Sequence, residues 1–162
     1  MAVTSHVYPK AVDAINKKTI NLTTDAFRCA LFTGSASAWT ATQQVYQFVS
    51  DLKTAYTECA NADYLAATNS GRIPLTTLTL TTGTAPGTDK WTCTAPAPIS
   101  WGAAVTISAA SMCIYDFTIG GGVDSATPVI AVIDFGVTVS STAGPYTYTV
   151  DPTNGLALFT TS

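Results

Sequence analysis

The sequence predicts a mainly β, single-domain protein, an antiparallel β-sandwich or barrel-like sheet pair with one short helix at about residues 43–56. Three observations predict it. Strand-length apolar runs rich in β-branched and aromatic residues recur along the chain, each bounded by turn residues. One segment, 43–56, spaces its apolar residues at three- and four-residue steps, as an amphipathic helix does. A chain of 162 residues without a linker or a fixed-period repeat suits one domain, 1–162, able to bury a real core. About seven or eight short strands with regular turns, plus one helix, fit a sandwich or a related barrel.

The elements follow in order. A short helix is expected after Pro9, within residues 7–20. The turn-rich Asn21-Leu22-Thr23-Thr24-Asp25 leads to a strand at 26–33, where Phe27, Cys29 and Leu31 face one way and Arg28, Ala30 and Phe32 the other. In the main helix, Val45, Phe48, Val49, Leu52, Ala55 and Tyr56 form one stripe that packs on the sheet, with Thr40 or Thr42 as its cap. Residues 60–71 are small and polar and read as an irregular connector. A half-exposed strand at 75–81 precedes a turn-dense loop. The short alternating strand at 90–94 stops at Ala95-Pro96-Ala97-Pro98, because proline cannot donate to a ladder.

Strands at 101–108 and 111–117 come next, then a flexible glycine turn (Gly120-Gly121-Gly122) and the run at 128–136. The chain closes with strands at 146–150 and 156–160. These are expected to pair as an antiparallel hairpin across Asp151-Pro152-Thr153-Asn154-Gly155, where Pro152 presets φ and Gly155 supplies a positive one.

Charge is scarce. Only 10% of residues are charged and 47% are hydrophobic, against ~25% charged in typical soluble domains. Threonine, alanine and serine fill the gap. Threonine suits a pleated surface, and its hydroxyl keeps an exposed face wet without charge. Such a surface suits a protein packed among neighbours, since a freely diffusing monomer relies on more charge for solubility. The net charge is −3, and the seven basic residues are scattered from Lys10 to Lys90 without forming a patch. Phosphate-backbone binding needs clustered Lys and Arg, so nucleic acid is not an expected partner. No apolar run approaches the ~20 residues that span a bilayer. The start, Met1-Ala2-Val3-Thr4-Ser5-His6, lacks the layout of a signal peptide. The expectation is a chain made in a cytoplasm, with no membrane partner.

Candidate chemistry is thin. His6 is the sole histidine and Glu58 the sole glutamate. His6 sits in an N-terminal stretch expected to be mobile. Asp25, Asp63, Asp89, Asp124 and Asp151 occupy turn-like settings and read as Asx-turn residues. Asp116 and Asp134 each end an apolar run. Pairing of their strands could bring the carboxylates together as a glycosidase dyad or calcium site, though capping of a turn is the simpler reading.

The glycine triplet lacks the Lys-Ser/Thr and the helix of a phosphate loop. Trp39, Trp91 and Trp101 could form a sugar-stacking platform, although core or interface tryptophans suit this composition better. Cys29, Cys59, Cys93 and Cys113 are widely spaced, unlike zinc ligands, and sequence does not pair them as disulfides. Cys29 and Cys113 read as buried thiols. No catalytic, cofactor-binding or metal-binding residue is therefore assigned, and the chain is expected not to be an enzyme.

The closing segment carries a resemblance. Ile114-Tyr115-Asp116, a short Gly/Ser/Thr loop, Val129-Ile130-Ala131-Val132-Ile133-Asp134-Phe135-Gly136, and Asp151-Pro152-Thr153-Asn154-Gly155-Leu156-Ala157-Leu158-Phe159 together resemble a group of small virion structural proteins of tailed bacteriophages. Upstream, Thr24-Asp25-Ala26-Phe27-Arg28-Cys29-Ala30-Leu31-Phe32-Thr33, Val45-Tyr46-Gln47-Phe48-Val49-Ser50-Asp51-Leu52 and Ile99-Ser100-Trp101 are similar to the same group. The resemblance runs from about residue 7 to 160. Residues 54–74 lack its glycine-rich stretch, and four cysteines are unusual in it.

The resemblance implies a virion structural protein, assembled in the host cytoplasm and located in the virion, with capsid decoration, head accessory and tail roles all compatible. An apolar, low-charge surface and no catalytic site favour a capsid decoration (cement) protein on the outer shell. It would bind the major capsid protein and copies of itself, as a homo-oligomer with a trimer among the options. A tail or head–tail accessory role is the alternative within the class. A carbohydrate-binding module is the alternative outside it.

Overall fold

Seven strands and five short helices make up the described residues, which are 3–34, 40–81, 89–95, 98–150 and 157–159 of a computed structural model. In chain order they are β1 (Thr4–Val7), α1 (Pro9–Asn16), β2 (Phe27–Phe32), α2 (Ala41–Gln44), α3 (Val49–Ala55), α4 (Ala62–Ala66), β3 (Ile73–Thr81), β4 (Asp89–Ala95), β5 (Ile99–Asp116), α5 (Phe117–Gly120), β6 (Val129–Tyr148) and β7 (Ala157–Phe159). The strands form one seven-stranded sheet in the order β1-β6-β5-β2-β3-β4-β7, with every ladder antiparallel. Its two edges, β1 and β7, approach within 8 Å between Cα atoms. Twist has coiled the sheet almost into a barrel. The mainly β class holds, in its barrel-like form, as a single coiled sheet.

The core follows from register. Phe27, Cys29 and Leu31 share a face with Met112, Ile114 and Ile133 across the β2–β5–β6 ladders. Trp91 meets Phe27 edge-on at 5.0 Å on the same side. Ala30 and Phe32 turn to the opposite face with Cys113 and Val132, and these are also buried. Tyr8, Ala11, Val49, Leu52 and Tyr64, from the helices and their flanks, complete the cluster. Burial on both sides explains why β2 from Cys29 to Phe32 and the start of β6 read as apolar runs.

Pro9 starts α1 as expected, because its missing N–H costs nothing in the first turn. The helix expected at 43–56 is two helices. Residues 46–48 pair like a strand instead: Phe48 bridges Pro128, Val129 N–H donates to Gln47 O at 3.0 Å, and Val49 N–H donates to Thr127 O at 3.0 Å. The Asp51 carboxylate accepts from Gln47 N and Phe48 N, both at 2.9 Å, and so closes the start of α3. Val49 and Leu52 are buried, but the break leaves Val45 63% exposed. Thr40 caps α2 in a capping box with Gln43.

The connector at 60–71 holds a helix that its composition did not announce. Asn61 accepts from Tyr64 N at 3.0 Å and caps α4, which sets Tyr64 in the core. Gly71, at φ +83°, lies where a Cβ would stand 2.4 Å from the Tyr64 ring, so the turn needs glycine for both φ and space.

The strands expected at 101–108 and 111–117 are one 18-residue strand, and the runs at 128–136 and 146–150 belong to one 20-residue strand apart from its ends. A register shift between Ala109 and Ser111 marks the place where the sequence suggests a break in β5. Bulges bend a strand without ending its ladder. The glycine triplet is not simply a flexible turn. Gly120 ends α5 where a Cβ would stand 2.0 Å from Thr127 Oγ1, and Gly121 is its left-handed C-cap at φ +56°.

The expected closing hairpin is not formed. β7 pairs with β4, Ala157 opposite Trp91 and Phe159 opposite Asp89. Residues 146–148 are instead paired with β5, Tyr148 opposite Ile99. The turn predicted at 151–155 lies outside the described residues. Coiling of the sheet brings the open side of β4 within reach of the chain leaving β6, a proximity that no local pattern encodes.

Candidate functional site

Lys53, Glu58, Arg72 and Asp124 form a four-residue ion-pair network. Arg72, just before β3, forks onto Glu58 through Nε to Oε1 (2.8 Å) and Nη2 to Oε2 (2.7 Å). The same guanidinium reaches Asp124 Oδ1 from Nη1 at 2.7 Å. Lys53 of α3 closes the ring, 2.9 Å from Asp124 Oδ2 and 3.3 Å from Glu58 Oε2. Tyr64 OH donates to Glu58 Oε1 at 3.2 Å and accepts from Leu31 N–H at 3.3 Å.

Burial alone would raise the Glu58 carboxyl, but Arg72 and Lys53 hold it below its usual value; Asp124 is held down in the same way. Two cations and two anions cancel within the network, which borders an open cleft of about 400 Å³. Cys59 lines this cleft, but burial first, then the Glu58 charge, push its thiol up to about 11. A thiol in that state is a poor nucleophile at neutral pH. The Asx-turn expectation for Asp124 is corrected by these pairs, and nothing in the spacing of Lys53, Glu58, Arg72 and Asp124 announces the network.

Asp116 and Asp134 do not form a dyad. β5 and β6 do pair, but Asp134 sits opposite Ser111 and Tyr115 opposite Val129. Five residues of strand, about 16 Å, separate the two carboxylates along β5. Each serves its own turn, as the simpler reading has it. Asp116 caps α5 by accepting from Thr118 N (2.8 Å) and Ile119 N (3.3 Å). Asp134 accepts from Gly136 N at 3.1 Å.

The acidic neighbour of Asp116 is Asp25. Burial, with the Asp25 charge added, pushes the Asp116 carboxyl up to about 6 against the pull of the two amides. Its Oδ2 is buried without a hydrogen bond among the described residues. Asp25 and Asp63 also bond outside themselves, to Asn21 N and Thr106 N, both at 2.6 Å. The Asp89 side chain and Asp151 lie outside the described structure.

His6 belongs to β1, opposite Val132, in place of the expected mobile stretch. The register brings His6, Asp134 and Ser111 onto one face. Their order across the strands puts the carboxylate between the histidine and the serine, whereas a relay needs the imidazole in the middle. Ser111 OH donates to Gly34 O at 2.6 Å, so the hydroxyl secures a loop.

Trp91 and Trp101 are 0% and 3% exposed, with their indoles donating to Leu22 O and Gly71 O. They cannot form the sugar platform, and Trp39 lies outside the described residues. Cys29, Cys59 and Cys113 are buried thiols and not disulfides. The Cys93 side chain is outside the described structure. Among the described residues no three His, Cys, Asp or Glu side chains group as a metal site would require.

What the surface does present is an edge. β1 covers β6 only from Ala131 to Asp134, and beyond that point β6 has β5 alone beside it among the described strands. Val137 (39%) and Val139 (44%) are exposed there, and no charged residue occurs between Asp134 and Asp151. A cleft of about 240 Å³ opens beside it, lined by Val3, Phe135, Val139, Tyr146 and Tyr148 among others. Phe135 and Tyr148 stack with ring centroids 6.0 Å apart. The signal in the sequence is the uncharged stretch itself, hidden because residues 137–145 fall between the two expected strands.

No family model, no curated protein and no solved structure matches this chain. Among the described residues no helix is long and apolar enough to cross a membrane.

Proposed function

We propose that this chain is a non-enzymatic structural protein of a tailed-bacteriophage virion that decorates the capsid. It would sit on the outer surface of the shell and bind the major capsid protein. One observation carries the reading: the exposed part of the longest strand is uncharged and carries exposed valines, while the strongly polar side chains of the network are committed to one another. A surface of that kind favours packing against neighbours over chemistry on a small molecule. The resemblance of the closing segment to phage virion proteins supplies the particle.

The test is co-sedimentation of the purified protein with capsids and, separately, with tails of the phage that encodes it. Saturable binding to capsids at a fixed ratio per capsid subunit is expected. Binding to tails alone would establish the tail reading instead, and binding to neither would remove the virion assignment.

A further inference from the structure

The open edge of β6 supports a more specific statement, which rests on the assembly role proposed above. Protein edges are usually blunted by lysine, proline, a covering loop or a short strand. Residues 137–142 (Val-Thr-Val-Ser-Ser-Thr) carry neither lysine nor proline, and no described strand covers them. Within this stretch Val139 lies opposite Ala109, Ser140 opposite Ser108 and Ser141 opposite Ile107, and a register shift flanks this run on each side. The outer side of this strand is therefore a template for another strand.

The composition of the edge selects the occupant. With no charge between Asp134 and Asp151, the edge offers nothing to draw an acidic or basic segment. It holds both exposed apolar side chains, Val137 and Val139, and an apolar cleft between Phe135, Tyr146 and Tyr148. A strand that carries both a projection and a recess can complement itself. Antiparallel pairing of two identical edges brings the same patch together about a two-fold axis.

We propose that residues 137–142 of β6 pair antiparallel with the same residues of a second copy of this chain, continuing the coiled sheet across a two-fold interface. Sedimentation velocity and backbone hydrogen exchange on the full chain test this. The wild type is expected to dimerise at micromolar concentration, with amides of 137–142 protected in the dimer. Val137→Lys/Val139→Lys sets like charges across the axis and should weaken dimerisation by about 100-fold or more, with an unchanged far-UV spectrum. Val45→Lys, at an exposed valine far along the chain, should leave the dimer intact.

If the double variant misfolds, the single Thr138→Lys, also exposed, serves the same purpose. A wild type that stays monomeric, or a folded lysine variant that dimerises as tightly as the wild type, overturns the proposal. Capsid binding by a monomeric wild type would refute the edge pairing and leave the virion role standing. A dimer that binds neither capsids nor tails would do the reverse.

Discussion

Asp116 shows how one side chain can serve structure at a cost. Its Oδ1 caps α5, while its Oδ2 is buried without a hydrogen bond among the described residues. Burial and the nearby Asp25 charge raise its folded-state pKa above the unfolded value. The folded protein then binds the proton more tightly than the unfolded chain. The contribution of Asp116 to stability is therefore fully present below the unfolded pKa of about 3.9 and is lost as pH rises through the folded value near 6. Asp116→Asn keeps an oxygen for the cap and replaces the orphan oxygen with a donor that can meet Asp25. Thermal melts at pH 7 should show the variant more stable by about 1–2 kcal/mol, with the advantage gone at pH 4. A loss of stability at pH 7 would mean that the ionised form is not strained.

At the scale of elements, with Lys53 adding α3, Arg72 ties together the chain at Glu58, the start of β3 and the link between α5 and β6. Removing it leaves Glu58 and Asp124 as partly buried anions with only Lys53 between them. Arg72→Met should cost roughly 3 kcal/mol near neutral pH, read from denaturant unfolding. The sign with pH is the opposite of that at Asp116. Both carboxyls are held below their usual values, so their contribution is present above the unfolded pKa and lost as pH falls through the lower folded one. The wild type should therefore lose stability below about pH 4, and the variant should lose much less there. Parallel acid curves for the two proteins would show that the network adds nothing to the fold.

For the molecule as a whole, closure of the coiled sheet depends on a strand of three residues. β7 covers the open side of β4 and brings the chain end beside β1. Deleting residues 157–162 should remove about three ladder hydrogen bonds and expose the β4 edge, at about 1 kcal/mol each. The melting temperature should fall by about 5–10 °C, with aggregation on heating. An unchanged melting temperature would show that the closing strand is dispensable.

Local patterns establish the class: mainly β, poor in charge, with Pro9 opening a helix, Thr40 capping another, and turn duties for Asp116 and Asp134. Each of these is a local matter of backbone chemistry or period, readable within a few residues. Tertiary structure decided everything that depends on distance along the chain. It broke the 43–56 stripe because Phe48 meets Pro128, and it joined strands that turn-like residues seemed to divide because a bulge can continue a ladder. It sent β7 to β4 in place of β6, gathered Lys53, Glu58, Arg72 and Asp124 from four segments, and left one side of β6 open. Pairing and ion contacts between segments tens of residues apart arise from how the sheet coils, and local sequence patterns do not record that geometry.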